Sequence, residues 1–531
     1  MKRIKLLDCT LRDGGYVNDW KFGHDNLISV FERTVSAGVD IIEIGFLDQR
    51  REFDIERSIM PDSSCAERIF GKSDKKQAMV VGMIDFGTCE INHLQPCKES
   101  FLDGIRVIFK KHVMHEAIEF CRQVKKLGYK VFTQAVSITS YTDEDLRELI
   151  ELVNGFQPYA VSIVDTYGLL QKDNLLHYFQ MMDQYLSPEI GLGYHSHNNF
   201  QLAFSNCIEI LRTETEREII VDGTLYGMGK SAGNAPIELL AMHLNEFYGK
   251  NYDMNQLLEA IDGNIMQIYE KKPWGYNLFY YLAASNHCHP SYVQFLMQTH
   301  SLSIKSINEI LDAIEPERKL MYSQEYIERL YYQYQRTEFD DSEDKQRLKD
   351  SIGDREILIL GPGSSVMESQ ETIQEYIRQK NPVVMAINFV SEVYPIDYVF
   401  LSNPRRYVRL INALKDGAGK NVKVIATSNV TRVQGNFQYT LNNAALLDKN
   451  AIIVDNSFIL LLKVLRELGV KKLAFAGLDG YSQTGRNYAD SSMEYWFAKR
   501  NAEELNRLVK EFLQSIQKST KYKFITRSYY E

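Results

Sequence analysis

A chain of 531 residues is too long for one hydrophobic core, because cores stop growing near ~250 to 300 residues, so at least two domains are expected. With 44% apolar and 25% charged residues, the composition belongs to a folded protein and excludes a disordered or fibrous one. A formal charge of -9, from 70 acids and 61 bases, predicts no nonspecific polyanion binder, and no nucleic-acid partner is expected.

The N-terminal stretch MKRIKLLDCTLRD has no signal-peptide apolar region before its acids. The run FILLL at 458–462 falls far short of the ~20 residues that cross a bilayer. A cytoplasmic protein without a membrane span is expected. The seven cysteines are scattered over the first 288 residues with no CxxC pair, which argues against a disulfide scaffold or a four-thiolate zinc site.

Residues 1–250 repeat one unit: a short apolar run, a polar loop, then an amphipathic helix. The spacing predicts strands at 4–9, 39–46, 78–84, 104–109, 130–136, 159–164, 191–196 and 218–222. Helices are expected between them, near 25–37, 63–70, 89–96, 111–127, 142–155, 171–186, 199–214 and 234–247. Runs such as DIIEIGF are apolar at consecutive positions, as in strands buried on both faces. Eight such units close a (β/α)8 TIM barrel. Asp13, Glu43, Asp85, Lys110, Gln134, Asp165, His195 and Asp222 fall at or just past strand ends, where barrels assemble their sites.

Residues 251–336 read as a helical extension that packs on the barrel or on a partner, a homodimer being expected. The charge-dense segment 337–355 reads as a linker. Residues 356–531 form a second α/β pattern: EILILGPGSS, then PVVMAI, DYVFLS, VKVIAT, AIIVD and KLAFAG as strands, with helices at 366–379, 404–415, 457–468 and 492–515. This predicts a Rossmann-like three-layer α/β domain.

His195 and His197 flank Ser196, and residues two apart in a strand face the same side, so both imidazoles can enter one cavity. Imidazole and carboxylate suit Zn, Mn, Fe or Co, with Mg allowed where oxygens fill the other positions. In a closed eight-stranded sheet Asp13 can reach that pair despite its distance in sequence. Arg12 beside it is a planar cation suited to a carboxylate or a developing enolate oxygen, and Glu43 can offset its burial. The bland alternatives are polar residues that only hydrogen-bond and an ion pair capping the barrel mouth. The glycine-rich loop from Asp222 to Asn234 permits close backbone approach, and Asn234 is either a metal-site group or a helix cap. Asp165, Asn199 and Asp222 are expected to contact substrate or support the ligands.

TLRDG at 10–14, IEIGF at 42–46, VDTYG at 164–168, GYHSHNN at 193–199 and GMGKSAGNAP at 227–236 together resemble the pyruvate-carboxyltransferase-like metallolyases. That family includes 4-hydroxy-2-oxovalerate aldolase, hydroxymethylglutaryl-CoA lyase, isopropylmalate synthase and homocitrate synthase. The resemblance spans residues 4–290, is strongest to the aldolase branch, and implies a divalent ion, Mn or Mg first, held by Asp13, His195 and His197. It also implies Arg12 as the enolate stabiliser with Glu43 as its partner.

A 2-oxo acid and an aldehyde are the implied substrates, joined or parted at the carbon-carbon bond of a 4-hydroxy-2-oxo acid through a metal-stabilised pyruvate enolate. The helices after residue 250 imply a partner dehydrogenase. One departure stands out: the aldolase branch carries a catalytic histidine where this chain has Tyr16, a poor base with a reference pKa near ~10. Either Tyr16 acts catalytically in a shifted state, or His24, the substrate hydroxyl's own metal contact or another group takes the proton, and Tyr276 is a further catalytic candidate. The alternatives are an acetyl-CoA-dependent Claisen-type synthase on a 2-oxo acid and a non-catalytic scaffold.

In the second domain, Gly361, Gly363 and Ser364 at a helix start, with Asp479 after a later strand, could cradle the phosphate of a nucleotide or nucleotide-sugar. Asn388, Asp397, Asn403, Arg405 and Arg406 could line the same crevice. The rival reading is a structural turn. The segment also faintly resembles nucleotide-binding domains associated with bacterial glycosyltransferases.

Overall fold

The computed structural model describes residues 2–299, 302, 304–335, 339–417, 419–431, 437–447, 453–494 and 496–531. It divides into two compact units, residues 1–290 and 291–531. Among the described residues, no helix is long and apolar enough to cross a membrane.

In the first unit, strands β1 (Ile4–Asp8), β2 (Ile41–Leu47), β3 (Ile59–Met60), β4 (Met79–Asp85), β5 (Gly104–Phe109), β6 (Lys130–Ala135), β7 (Ala160–Asp165), β8 (Gly191–Ser196) and β9 (Ile219–Gly223) are all parallel. The order is β1-β9-β8-β7-β6-β5-β4-β2, and β1 pairs with β2 to close an eight-stranded barrel; two-residue β3 attaches to the end of β2. Nearly every strand residue is buried, as a sheet with a packed interior and a helix ring requires.

The period-2 pleat explains where the chemistry goes. Leu7, Ile41, Met79, Val81, Phe132, Ala160 and Ile220 form one apolar cluster inside the barrel. Two residues further along their strands, on the same face, come Glu43, Gln134, Ser162 and Asp222, and neighbouring strands add Arg106 and His195 at the same level. The barrel is therefore filled by an apolar layer topped by a charged one at the carboxyl ends of the strands.

Two connections differ from expectation. The link after β4 is not a helix over 89–96 but two 3-10 turns, Ile91–His93 and Cys97–Glu99, separated by Pro96, which cannot donate to a continuing helix. The helical region after residue 250 belongs to both units. Helix Met254–Ala260 packs on the barrel core through Leu257 and Ala260, and a π-turn over Ile261–Ile265 follows.

The second unit begins with helices rather than with a strand. The charged stretch expected as a linker contains helix Ser342–Ile352, whose two apolar residues, Leu348 and Ile352, are four apart and both enter the core. Strands β10 (Ile357–Leu360), β11 (Val383–Ile387), β12 (Tyr398–Leu401), β13 (Lys423–Thr427), β14 (Tyr439–Leu441), β15 (Lys472–Ala476) and β16 (Lys521–Phe524) form a parallel sheet in the order β14-β13-β12-β11-β10-β15-β16. Ile357 and Ile359 enter the cluster on one face, Leu358 and Leu360 that on the other, so helices cover both sides in three layers. Of the strand expected at 451–455, residues 451 and 452 lie outside the described set, and Ile453–Asp455 join no ladder.

Candidate metal centre

Three chain segments meet at the mouth of the barrel. The first strand runs into a short helical turn, Thr10–Asp13, which lifts Arg12 and Asp13 over the charged layer. The end of β8 supplies His195 and His197, and the loop after β9 returns beside it: His197 and Asn234 form a backbone bridge, and Asn199 Oδ1 accepts from Ala232 N at 3.2 Å. Gly229 shows why this loop is glycine-rich. A Cβ there would lie 2.2 Å from Asn234 Nδ2 and 2.6 Å from Asp13 Oδ2, so any side chain would push the loop off the aspartate.

The protonation pattern of the two histidines follows from their partners. His197 Nδ1 is 2.9 Å from the carbonyl oxygen of Asp165, which can only accept, so Nδ1 carries the proton and Nε2 presents a lone pair. His195 Nδ1 is 3.0 Å from Asp222 Oδ2, with the same consequence. Both Nε2 atoms face Asp13, at 3.9 Å from Oδ1 for His195 and 3.5 Å from Oδ2 for His197. His197 Nε2 is buried with no hydrogen-bond partner among the described residues.

Two buried lone pairs converging on a carboxylate make a donor set that could hold a cation. Ligand atoms at ~2.0 to 2.2 Å from a divalent ion stand about 3 to 3.5 Å apart, close to the spacing found. Asp13, His195 and His197, whose ligand atoms all lie within 4.8 Å of one another, therefore fit such an ion. Cys9, His195 and Asp222 also cluster. That set is unsuited, because burial pushes the Cys9 thiol well up and its Sγ donates to Gly223 O.

Around the ligands lies a chain of charge. Arg12 donates from Nε to Glu43 Oε2 at 2.7 Å and from Nη1 to Asp13 Oδ1 at 2.5 Å. Glu43 Oε2 is also 3.1 Å from Arg106 Nη1, and Arg106 Nη2 donates to Asp222 Oδ2 and to Gln134 Oε1. Burial alone would raise the Asp13 carboxyl, but Arg12 and then His197 override it and hold it well below the usual range. Burial likewise opposes ionisation of Asp222, and Arg106 overrides it. His195 is pushed down by burial and stays neutral near pH 7. Three carboxylates against two guanidiniums leave one net negative charge, a balance that a divalent ion turns to one net positive.

The remaining expected residues fall out unevenly. Asn234 meets Asp13 through Nδ2 at 2.6 Å, a donor without a lone pair for a cation, so as placed it props the carboxylate. Lys230 N supports the same oxygen at 3.0 Å. Asp165 spends its carboxylate on Leu169 N and Leu170 N, shaping its own loop, and burial raises it to about 6. Tyr16 packs edge-on to Trp20 with Lys230 Nζ 5.4 Å from its ring centre, and burial followed by Asp13 pushes its phenol up, away from use as a base at neutral pH. Tyr276 is 52% exposed, and no hydrogen bond or ring contact among the described residues ties it to the centre. His24 lines a groove on an outer helix with Asp25, Glu32 and Gln256. Arg106 went unread in the sequence, although a lone arginine inside the apolar run GIRVIF is itself a signal, since a fully buried guanidinium requires partners.

The glycine turn of the second unit is satisfied by its own chain. Asp479 Oδ2 accepts from Ser365 N at 2.8 Å and from Ser364 Oγ at 3.1 Å, and Asp479 Oδ1 accepts from Ser365 Oγ. An anion thus already occupies the helix start. A Cβ on Gly363 would lie 2.6 Å from the Asp479 carboxyl carbon, and one on Gly361 would lie 2.4 Å from Gly477 O. Close packing of two loops explains both glycines, and the nucleotide expectation finds no support here.

Comparison with known proteins agrees with this architecture. Residues 3–262 match the HMGL-like family model. A 4-hydroxy-2-oxovalerate aldolase 2 of Comamonas testosteroni is 25% identical over 240 residues, 45% of this chain and 67% of that protein. A 2-isopropylmalate synthase of Sulfolobus acidocaldarius is 25% identical over 254 residues, 48% of this chain and 64% of that one. Among solved structures, the N-terminal domain of a provisionally assigned aldolase from Bacteroides vulgatus is 24% identical, with a TM-score of 0.47 over 55% of this chain and 96% of that one. The first unit is an HMGL-like domain of the pyruvate-carboxyltransferase family, folded as a closed eight-stranded barrel.

Proposed function

We propose that the barrel is a divalent-metal-dependent aldolase or lyase that makes or cleaves the carbon-carbon bond of a 4-hydroxy-2-oxo acid. The observation that carries this reading is the buried, partnerless His197 Nε2 aimed with His195 Nε2 at the carboxylate of Asp13. Asp13, His195 and His197 would hold Mn or Mg, which when bound polarises the keto oxygen of a 2-oxo acid.

Arg12 does the rest of the electrostatic work. Its Nε and Nη1 are committed to Glu43 and Asp13, which fixes the guanidinium plane, and its Nη2 donates to no protein acceptor among the described residues. That donor is free for the oxygen on which charge develops as the enolate forms. Tyr16, kept protonated by burial, serves as a hydrogen-bond donor to a substrate oxygen and not as the base. The 2-isopropylmalate synthase likeness supports a second reading, a Claisen-type condensation, and dependence of product formation on acetyl-CoA separates the two.

The test is exchange of deuterium from solvent into the methyl group of pyruvate with added Mn or Mg, which reports enolate formation without a choice of aldehyde. Exchange is expected in the wild type, and a fall of roughly a hundred- to a thousandfold in Arg12→Lys, whose point charge cannot reproduce the fixed fork. No exchange with either ion would overturn the aldolase reading.

A further inference from the structure

Arg106 has no role in the reaction as described, yet among the described residues it is the largest side chain that is fully buried. It stands in the middle of β5, inside the barrel. One arm, Nη1, forms an ion pair without hydrogen-bond geometry, at 3.1 Å from Glu43 Oε2, the oxygen that also takes Arg12 Nε at 2.7 Å. The other arm bonds Asp222 Oδ2, the oxygen that also lies 3.0 Å from His195 Nδ1. Each shared oxygen thus joins Arg106 to one working member of the centre. The result is a closed circuit: Asp13, Arg12, Glu43, Arg106, Asp222, His195, and back to Asp13 across 3.9 Å.

We infer that Arg106 is a positioning residue that locks the ligand His195 and the enolate-facing Arg12 into one rigid frame by bridging Asp222 and Glu43. The inference rests on the metal reading proposed above. Apart from Arg106, each carboxylate is held only by the group it orients, Glu43 by Arg12 Nε and Asp222 by His195 Nδ1, and their second oxygens, Glu43 Oε1 and Asp222 Oδ1, are buried without a hydrogen-bond partner among the described residues. Without the bridge, Asp222 is anchored only through the histidine it is meant to orient. Partners of this kind, one bond removed from a metal ligand, set the tautomer and direction of the ring.

Two effects of Arg106 on a cation oppose each other, and this makes the inference decidable by sign. As a buried positive charge it repels a metal ion, so its removal would tighten binding. As a bridge it aims the His195 lone pair, so its removal would weaken binding. The experiment is Mn titration calorimetry on the full chain at one pH, with Arg106→Met and Arg106→Lys, each checked for folding by metal-free thermal melting.

Arg106→Met is expected to bind Mn about 10- to 100-fold more weakly. Arg106→Lys restores charge but not the planar two-armed bridge, and is expected to stay weaker than wild type. Equal or tighter binding by Arg106→Met, or wild-type affinity in Arg106→Lys, would overturn the inference. If Arg106→Met does not fold, Arg106→Lys alone decides. Absence of Mn binding in the wild type would instead overturn the metal reading, and this inference with it.

Discussion

Both units place a carboxylate at the carboxyl end of a parallel sheet, beside a glycine-rich turn, yet the two carboxylates are in opposite situations. Asp479 is saturated by neutral donors of the glycine turn packed against its loop, the Ser365 backbone amide and the Ser364 and Ser365 hydroxyls. Asp13 is met by Arg12, Asn234 and a backbone amide, and in addition by two imidazole lone pairs that cannot donate to it. Saturation marks a structural turn. Buried acceptors crowded together without enough protons between them make a site that could hold a cation, because an unpaired buried polar atom costs about 1 to 3 kcal/mol. Motif chemistry alone does not separate the cases, since Gly-Pro-Gly-Ser-Ser and Arg-Asp-Gly-Gly both read as ligand loops.

The sharpest way to break the comparison is to remove one ligand. His197→Ala should weaken Mn binding roughly a hundred- to a thousandfold, one ligand's share of a multidentate site. Calorimetry checks it, and unchanged affinity would mean that the lone pair at Nε2 serves no ion.

A third carboxylate sharpens the contrast. Asp8 is buried with Thr10 as its donor and no cation bonded to it, and burial raises it to about 7. The folded chain therefore keeps a proton that the unfolded chain, at pKa ~3.9, releases. Stability from this group is complete below pH ~4 and is lost as pH rises through about 7, about 4 kcal/mol in all. Urea unfolding at pH 5 and pH 8 should show that fall, and Asp8→Asn should flatten it; an equal slope in the variant would contradict the assignment.

The smallest effect is expected in the second unit. Asp479→Ala strands the buried Ser365 amide and should cost about 1 to 3 kcal/mol in unfolding of that unit, with pyruvate exchange unchanged. Full stability would show that the carboxylate is held in place for a ligand after all.

Much of this architecture is readable in the residues, for a physical reason. Strands buried on both faces leave apolar runs that stand out, and His195 and His197 share a face because the pleat repeats every two residues. Elements that depend on few contacts do not stand out. Edge strand β16, KYKF, alternates between exposed and half-buried positions and reads as polar loop. The Ser342–Ile352 helix rests on two apolar residues in a charged stretch. At the centre, Asp13 and the histidines carry a spacing signal, whereas the Arg106 bridge reaches Asp222 across 116 positions and exists only once the barrel has closed. Tyr276 shows the converse: a residue type suited to catalysis, left half in solvent.

Crystals grown with Mn and measured at the manganese absorption edge test the central claim most directly. The account predicts one strong anomalous peak within about 2.3 Å of an Asp13 oxygen and of Nε2 on both His195 and His197. A fully folded barrel with no peak between those three side chains, at Mn concentrations that support pyruvate exchange, would contradict it.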